Sequence, residues 1–218
     1  MVDKVPTKAA NATNSAKAAN ATNSKKAKIA VLVSGGGTNL QAILDKERAG
    51  GIPHGEVVLV ATANPKAFAL ERAMKAGVST YVFSAEEDLC EKLKAENIDL
   101  IVLAGFLKIL SKEFIKNFEG RIINIHPSLI PSFCGKGCYG LHVHEKALAY
   151  GVKVTGATVH FVNEIPDGGK IIAQKAVYIS DDDTPETLQK KVMREAEWVL
   201  LPEAIEKISE KILTGELN

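Results

Sequence analysis

Cysteine is scarce in this chain: Cys90, Cys134 and Cys138 are the only three among 218 residues. So few, and odd in number, they cannot build a disulfide framework, and they suit a reducing compartment such as the cytoplasm. An excess of charge is missing too, because 27 Lys and Arg face 26 Asp and Glu for a formal net charge of +1. That balance gives no global pull towards nucleic acid or an anionic membrane, so any anion recognition must be local. No run of about eighteen apolar residues is present, and the N-terminus lacks the apolar stretch of a secretory signal. Membrane insertion and secretion are therefore not expected. What remains, 46% hydrophobic and 24% charged residues, is the composition of an ordinary globular protein of a length suited to one domain.

Residues 1–27 stand apart in composition. Ala, Asn, Thr, Ser and Lys dominate, and the octet KAANATNS at residues 8–15 recurs at 17–24. Without Leu, Ile, Phe or aromatics this stretch buries too little apolar area to offset the entropy of ordering, so it reads as a disordered low-complexity tail. Asn11-Ala12-Thr13 and Asn20-Ala21-Thr22 fit the N-glycosylation pattern, but an Asn/Thr-rich repeat produces such matches by chance. The expected domain organisation is the tail at 1–27 followed by one domain at 28–218.

Within that domain, short β-branched runs alternate with stretches of helical spacing. Residues 28–33, 56–62, 78–83, 100–104 and 122–126 read as buried strands, and 39–49, 66–76, 86–96 and 111–117 as helices. Repeated βαβ units close right-handed crossovers onto a parallel sheet with helices on both faces. From Lys153 the pattern shifts to two long strands, 153–162 and 170–179, joined by a turn at Pro166-Asp167-Gly168-Gly169 and expected to be antiparallel. A closing helix is expected over 184–214, opened by Asp183-Thr184-Pro185. The fold class is α/β: a Rossmann-like, mostly parallel twisted sheet with an antiparallel C-terminal strand pair.

Three places could carry chemistry. Residues 33–40, VSGGGTNL, leave the first strand and open the first helix. Gly35, Gly36 and Gly37 let the backbone approach an anion, and the helix N-terminus beyond them offers free N–H groups. The spacing matches neither the dinucleotide fingerprint nor the P-loop, and a tight strand-to-helix turn without a ligand would look the same. At the end of the fifth strand, Asn124 and His126 alternate with Ile123 and Ile125 and so share a face. In open α/β sheets ligands bind beyond the carboxyl ends of strands, although a structural histidine can also occupy such a position. The third place, Asp167 within Pro-Asp-Gly, reads equally well as turn chemistry.

The motifs SGGGTNLQA (34–42), LAGFLKIL (103–110), NIHPSLIPSF (124–133), GATVHFV (156–162) and PDGG (166–169), in this order, resemble the phosphoribosylglycinamide formyltransferases, the folate-dependent enzymes of purine biosynthesis. The resemblance spans about 28–214 and implies formyl transfer from 10-formyltetrahydrofolate to the amine of glycinamide ribonucleotide. It implies a catalytic trio of Asn124, His126 and Asp167. It further implies that Gly35, Gly36, Gly37, Thr38 and Asn39 hold the ribonucleotide phosphate. Phe106, Leu107, Lys108, Ile109 and Leu110, with Asn163, Glu164, Ile165 and Pro166, would enclose the folate pterin. In the last helix Arg194 and Glu197 align with phosphate- and ribose-contacting positions, five residues before Pro202 in the case of Glu197. In the chemistry that follows, Asn124 and an imidazolium at His126 would stabilise a developing oxyanion. Asp167 would raise the His126 pKa and hold its orientation.

The chain also departs from the family pattern. The stretch between Phe83 and Asp99 is short, leaving little besides 86–97 for a third helix. Ala63-Asn64 stands where Ser-Asn is usual, and Lys170 where Pro is common. Cys134, Cys138, His142 and His144 fall within eleven residues, but their spacing is unlike a zinc knuckle, and no metal is expected. The implied partners are small molecules, with neither nucleic acid nor membrane, for a monomer or homodimer in the cytoplasm. Competing readings are a folate- or nucleotide-binding homologue with weak or no turnover and a formyltetrahydrofolate hydrolase-like activity. That hydrolase and methionyl-tRNA formyltransferase share the Asn/His/Asp chemistry but are expected to carry extra domains.

Overall fold

A computed structural model describes residues 25–217. Seven strands form one sheet in the order β3-β2-β1-β4-β5-β6-β7. The first five, β1 (Ala27–Leu32), β2 (Gly55–Thr62), β3 (Ser79–Val82), β4 (Leu100–Leu103) and β5 (Ile122–His126), run parallel. The last two, β6 (Val154–Phe161) and β7 (Ile171–Tyr178), are antiparallel to their neighbours. The mixed sheet expected from the sequence is therefore present.

Alternation within β1 shows how one strand serves two cores. Ile29 and Val31 face a cluster built from α1 (Thr38–Arg48), α2 (Phe68–Lys75), α6 (Pro185–Val192) and α7 (Trp198–Thr214). Ala30 and Leu32 face the opposite cluster, with Leu89 and Leu93 of α3 (Glu86–Ala95) and Phe114 and Ile115 of α4 (Lys112–Asn117). Successive strand side chains point to opposite faces, so a strand covered on both sides reads as continuously apolar. The short third helix is ten residues long and still buries Leu89 and Leu93 completely.

The structure corrects four expectations. Ala27 is fully buried and opens β1 rather than ending the tail; residues 1–24 and 218 lie outside the described residues. The third strand is not buried. Among the described residues it is a sheet edge paired only with β2, and Ser79, Thr80 and Val82 are exposed. A helix that the sequence reading left out, α5 (Leu141–Tyr150), follows the glycine-rich segment and buries Val143, His144 and Ala147. Finally, the closing helix is interrupted: a π-helical turn, Met193–Glu197, separates α6 from α7.

Candidate active site

From β1 the chain moves outward to β2 and β3, then returns to β4 on the other side of β1 and continues to β5. This reversal opens a crevice beyond the carboxyl ends of β1 and β4, the place where open α/β sheets hold ligands. The loop after β1 carries three consecutive glycines, Gly35 to Gly37, and the loop after β4 carries one, Gly105. The loop after β1 packs tightly on α2, since a Cβ on Gly37, at φ 70°, would lie 2.6 Å from the Ala69 Cβ. The Ser34 hydroxyl accepts from the Leu107 N–H at 2.9 Å and ties this loop to the one after β4. Between them lies a cavity of about 290 Å³ lined by Ser34, Gly35, Gly36, Gly37, Thr38, Asn39, Ala104, Gly105 and Leu107.

This cavity adjoins a larger cleft of about 670 Å³ that shares Thr38, Asn39, Gly105 and Leu107 with it. Asn39 and Glu197 meet on one wall, where Asn39 Nδ2 donates to Glu197 Oε2 at 2.7 Å and Asn39 Oδ1 is buried without a protein partner. Phe106 to Leu110 and Asn163 to Pro166 all line the same cleft. Leu107, Ile109 and Ile165 are 65%, 78% and 65% exposed at its rim, an apolar mouth suited to a flat ring system.

The trio converges between these ends through strand register. The antiparallel pairing of β5 with β6 sets Asn124 opposite His160 and His126 opposite Thr158. His160 Nδ1 donates to the Phe161 carbonyl at 2.8 Å, which leaves Nε2 to accept from Asn124 Nδ2 at 3.1 Å. Asp167, in the left-handed region at φ 56°, reaches back from the turn after β6. Its Oδ2 is 3.5 Å from His126 Nδ1, its Oδ1 3.7 Å from His160 Nε2, and Oδ2 also accepts from the Gly135 N–H at 2.8 Å. The other nitrogen of His126, Nε2, donates to the Phe133 carbonyl at 2.9 Å.

Of the residues proposed from the sequence, one is not brought to this cleft. Arg194 points to solvent, its side chain 68% exposed, and pairs with Glu195 at 2.8 Å. Residues three apart share a face of an α-helix, but the wider π-helical turn swings them apart, so Glu197 enters the cleft and Arg194 leaves it. Conversely, His160 and His144 line the cleft and were not among the site residues expected. His160 was signalled by its motif, GATVHFV, but its partner depends on a register that sequence does not print. The Cys/His-rich segment divides among separate partners: Cys134 bonds the Pro131 carbonyl, Cys138 receives Lys146 Nζ, and His142 pairs with Glu145.

The sequence profile of the formyl transferases matches residues 27–205, which include every residue of the cleft named above. The chain belongs to the formyl transferase family. It is 38% identical over 192 residues to the phosphoribosylglycinamide formyltransferase of Haemophilus influenzae, covering 84% of this chain and 87% of that protein. Over 178 residues it is 40% identical to the chloroplastic phosphoribosylglycinamide formyltransferase of Arabidopsis thaliana, covering 77% of this chain and 61% of that one. A third relative, the trifunctional purine biosynthetic protein adenosine-3 of Drosophila melanogaster, is 43% identical over 182 residues, 78% of this chain but 13% of the fly protein. This chain thus spans only part of those two longer relatives. The crystal structure of glycinamide ribonucleotide transformylase 1 from Symbiobacterium toebii superposes with a TM-score of 0.78 at 41% identity, covering 85% of this chain and 88% of that one.

Electrostatics in this formyl transferase depart from one sequence expectation. Burial pulls the His126 pKa below the usual histidine range, and the nearby Asp167 carboxylate only partly opposes it. Burial pushes Asp167 up, yet the neighbouring His160 and His126 rings and the Gly135 N–H together hold its carboxyl below the ordinary value. The pair is therefore a carboxylate beside a largely neutral imidazole at neutral pH. Glu197 is raised by burial, with Asn39 opposing. His144 is fully buried with both ring nitrogens unpartnered, and burial with the neighbouring His126 pushes it down to about 4.

Proposed function

We propose that this formyl transferase moves the formyl group of 10-formyltetrahydrofolate to the amine of glycinamide ribonucleotide, a step of purine biosynthesis. The reading rests above all on one observation: Asn124, His126, His160 and Asp167 meet in a single cleft between a glycine cradle and an apolar mouth. The cradle N–H groups suit the phosphate, Glu197 and Asn39 suit the ribose hydroxyls, and Leu107, Ile109 and Ile165 suit the pterin. The relatives' names agree with glycinamide ribonucleotide as the acceptor of a formyl group.

Each polar residue then has a task set by charge development. The attacking amine turns the formyl oxygen into an oxyanion, which Asn124 Nδ2 can stabilise as a donor. His126 Nε2–H is a second donor once it turns from the Phe133 carbonyl to the substrate. Asp167, held ionised beside the neutral His126, accepts the proton of the attacking amine through water and returns it to the folate nitrogen as the bond between that nitrogen and the formyl carbon breaks, so that tetrahydrofolate leaves. Asn124, His126 and Asp167 are the catalytic residues in this account, and His160 positions Asn124. The chemistry is direct transfer, which asks for no covalent enzyme intermediate. Its setting in this reading is a reducing cytoplasm, as a monomer or homodimer. Among the described residues no helix is long and apolar enough to cross a membrane, and the three cysteines are free.

A steady-state assay with both substrates tests the proposal. Formylated ribonucleotide should accumulate in step with loss of formyl-folate. Folate deformylation without nucleotide formylation would instead identify a hydrolase-like enzyme, and tight binding of both without turnover a binding homologue.

A further inference from the structure

The glycine loop after β1 is held from outside by α2. Ala69 N–H donates to the Gly35 carbonyl at 3.1 Å. Arg72 Nε donates to the next carbonyl, Gly36, at 2.8 Å. Both peptide units are trans, so each N–H lies opposite its carbonyl. With the Gly35 and Gly36 carbonyls turned onto α2, the N–H groups of Gly36 and Gly37 point away from it. Neither donates to a protein acceptor among the described residues. Gly36 and Gly37 line the 290 Å³ cavity, to which α2 contributes no residue.

We propose that Arg72 is a positioning residue for the phosphate end of the nucleotide: it pins the Gly36 carbonyl so that the Gly37 N–H stays aimed into the cavity. The inference rests on the functional reading above and concerns a phosphomonoester dianion. Glycine needs such a hold more than other residues, because without a Cβ its flanking peptides rotate between orientations at little cost. The Gly35 peptide is held by backbone, which no side-chain change removes. The Gly36 peptide is held by a side chain that is itself fixed. Arg72 Nη1 donates to Gln41 Oε1 of α1 at 3.0 Å, and the guanidinium lies 5.0 Å from the centre of the Phe68 ring. A forked, planar donor satisfies the loop and α1 together, whereas a lysine ammonium on a flexible stem reaches one of them without the fixed geometry.

Arg72→Met, which keeps the apolar stem, should raise the nucleotide KM about tenfold, the scale of a lost charge-assisted hydrogen bond. Its kcat and folate KM should stay within about twofold. Arg72→Lys should recover part of the loss. Gln41→Ala, which removes only the second anchor, should give a smaller rise and serves if Arg72→Met does not fold. Lys75→Met removes a like charge from the same helix and should leave the nucleotide KM unchanged. Calorimetric titration with ribose 5-phosphate should show the same order of weakening. An unchanged nucleotide KM in Arg72→Met overturns the proposal. So does an equal rise in Lys75→Met, which would mark a diffuse charge effect, or a collapse of kcat with both Michaelis constants, which would mark a structural role. If the wild-type protein forms no formylated nucleotide, the functional reading fails, and the ribose 5-phosphate titration still decides the role of Arg72.

Discussion

Asp167 adopts φ 56°, a conformation that Asp and Asn tolerate better than most side chains. Asp167→Asn therefore keeps the turn and removes only the charge, and kcat should fall about a hundredfold, the scale of lost acid–base assistance. His160→Ala should lower kcat about tenfold or more by freeing Asn124, again on the acid–base and oxyanion scale. Steady-state rates on folded variants check both, and wild-type kcat in either would remove that residue from the mechanism. His144 makes a different prediction, about stability. Its folded pKa of about 4 lies below the 6.5 of the free side chain, so as pH falls the unfolded chain takes up the proton first. Stability should then be lost between pH 6.5 and 4, by roughly 2–3 kcal/mol from this group at the lower end. His144→Leu should flatten the profile by that amount in urea unfolding at pH 7 and 4.5, and an identical slope would show that His144 protonates without penalty. At this scale Asn124 and His126 were legible because strand alternation places them on one face. Asp167 looked like any turn residue, since its role depends on where the turn folds back.

Among the elements, the parallel strands were legible because burial on both faces makes them continuous apolar runs. The edge strand β3 was misjudged for the same reason: Val82 and Tyr81 suit a buried strand, and nothing local tells an edge from a centre. The helix α5 follows Gly135, Gly137 and Gly140, and its His142 and His144 were weighed only as metal candidates, although Val143 and Ala147 are spaced for one buried helical face. The π-helical turn Met193–Glu197 was equally hidden, because a one-residue change of phase leaves the apolar pattern nearly intact. Its consequence is testable. Arg194→Ala should leave the nucleotide KM within about twofold, because an exposed pair with Glu195 contributes little, while Glu197 remains in the cleft. A tenfold rise in that KM would mean that the turn rewinds to an α-helix when nucleotide binds.

Over the whole molecule, the reversal of strand order that creates the cleft was not written in any single motif. It follows from which crossovers pass in front of the sheet and which behind, and the glycine loop after β1 and the apolar loop after β4 become one site only once those strands are neighbours. What the sequence did offer at this scale was the contrast between residues 1–27 and the rest. Among the described residues, both core clusters draw their buried residues from Ile29 onward, and the sheet begins at Ala27. Among the described residues, those lining the cavity and the cleft run from Ser34 onward. Residues 1–24 hold no Leu, Ile, Phe or aromatic side chain, so their removal is expected to take little apolar area from the domain. The truncated chain should melt within about 1–2 °C of the full one, the change expected when well under 1 kcal/mol is lost, and should keep kcat and both Michaelis constants. Calorimetric melting and steady-state assay of the two chains side by side check this. A fall in melting temperature would show that the repeat covers apolar surface of the domain, and a changed KM at constant stability would show that it reaches the mouth of the cleft.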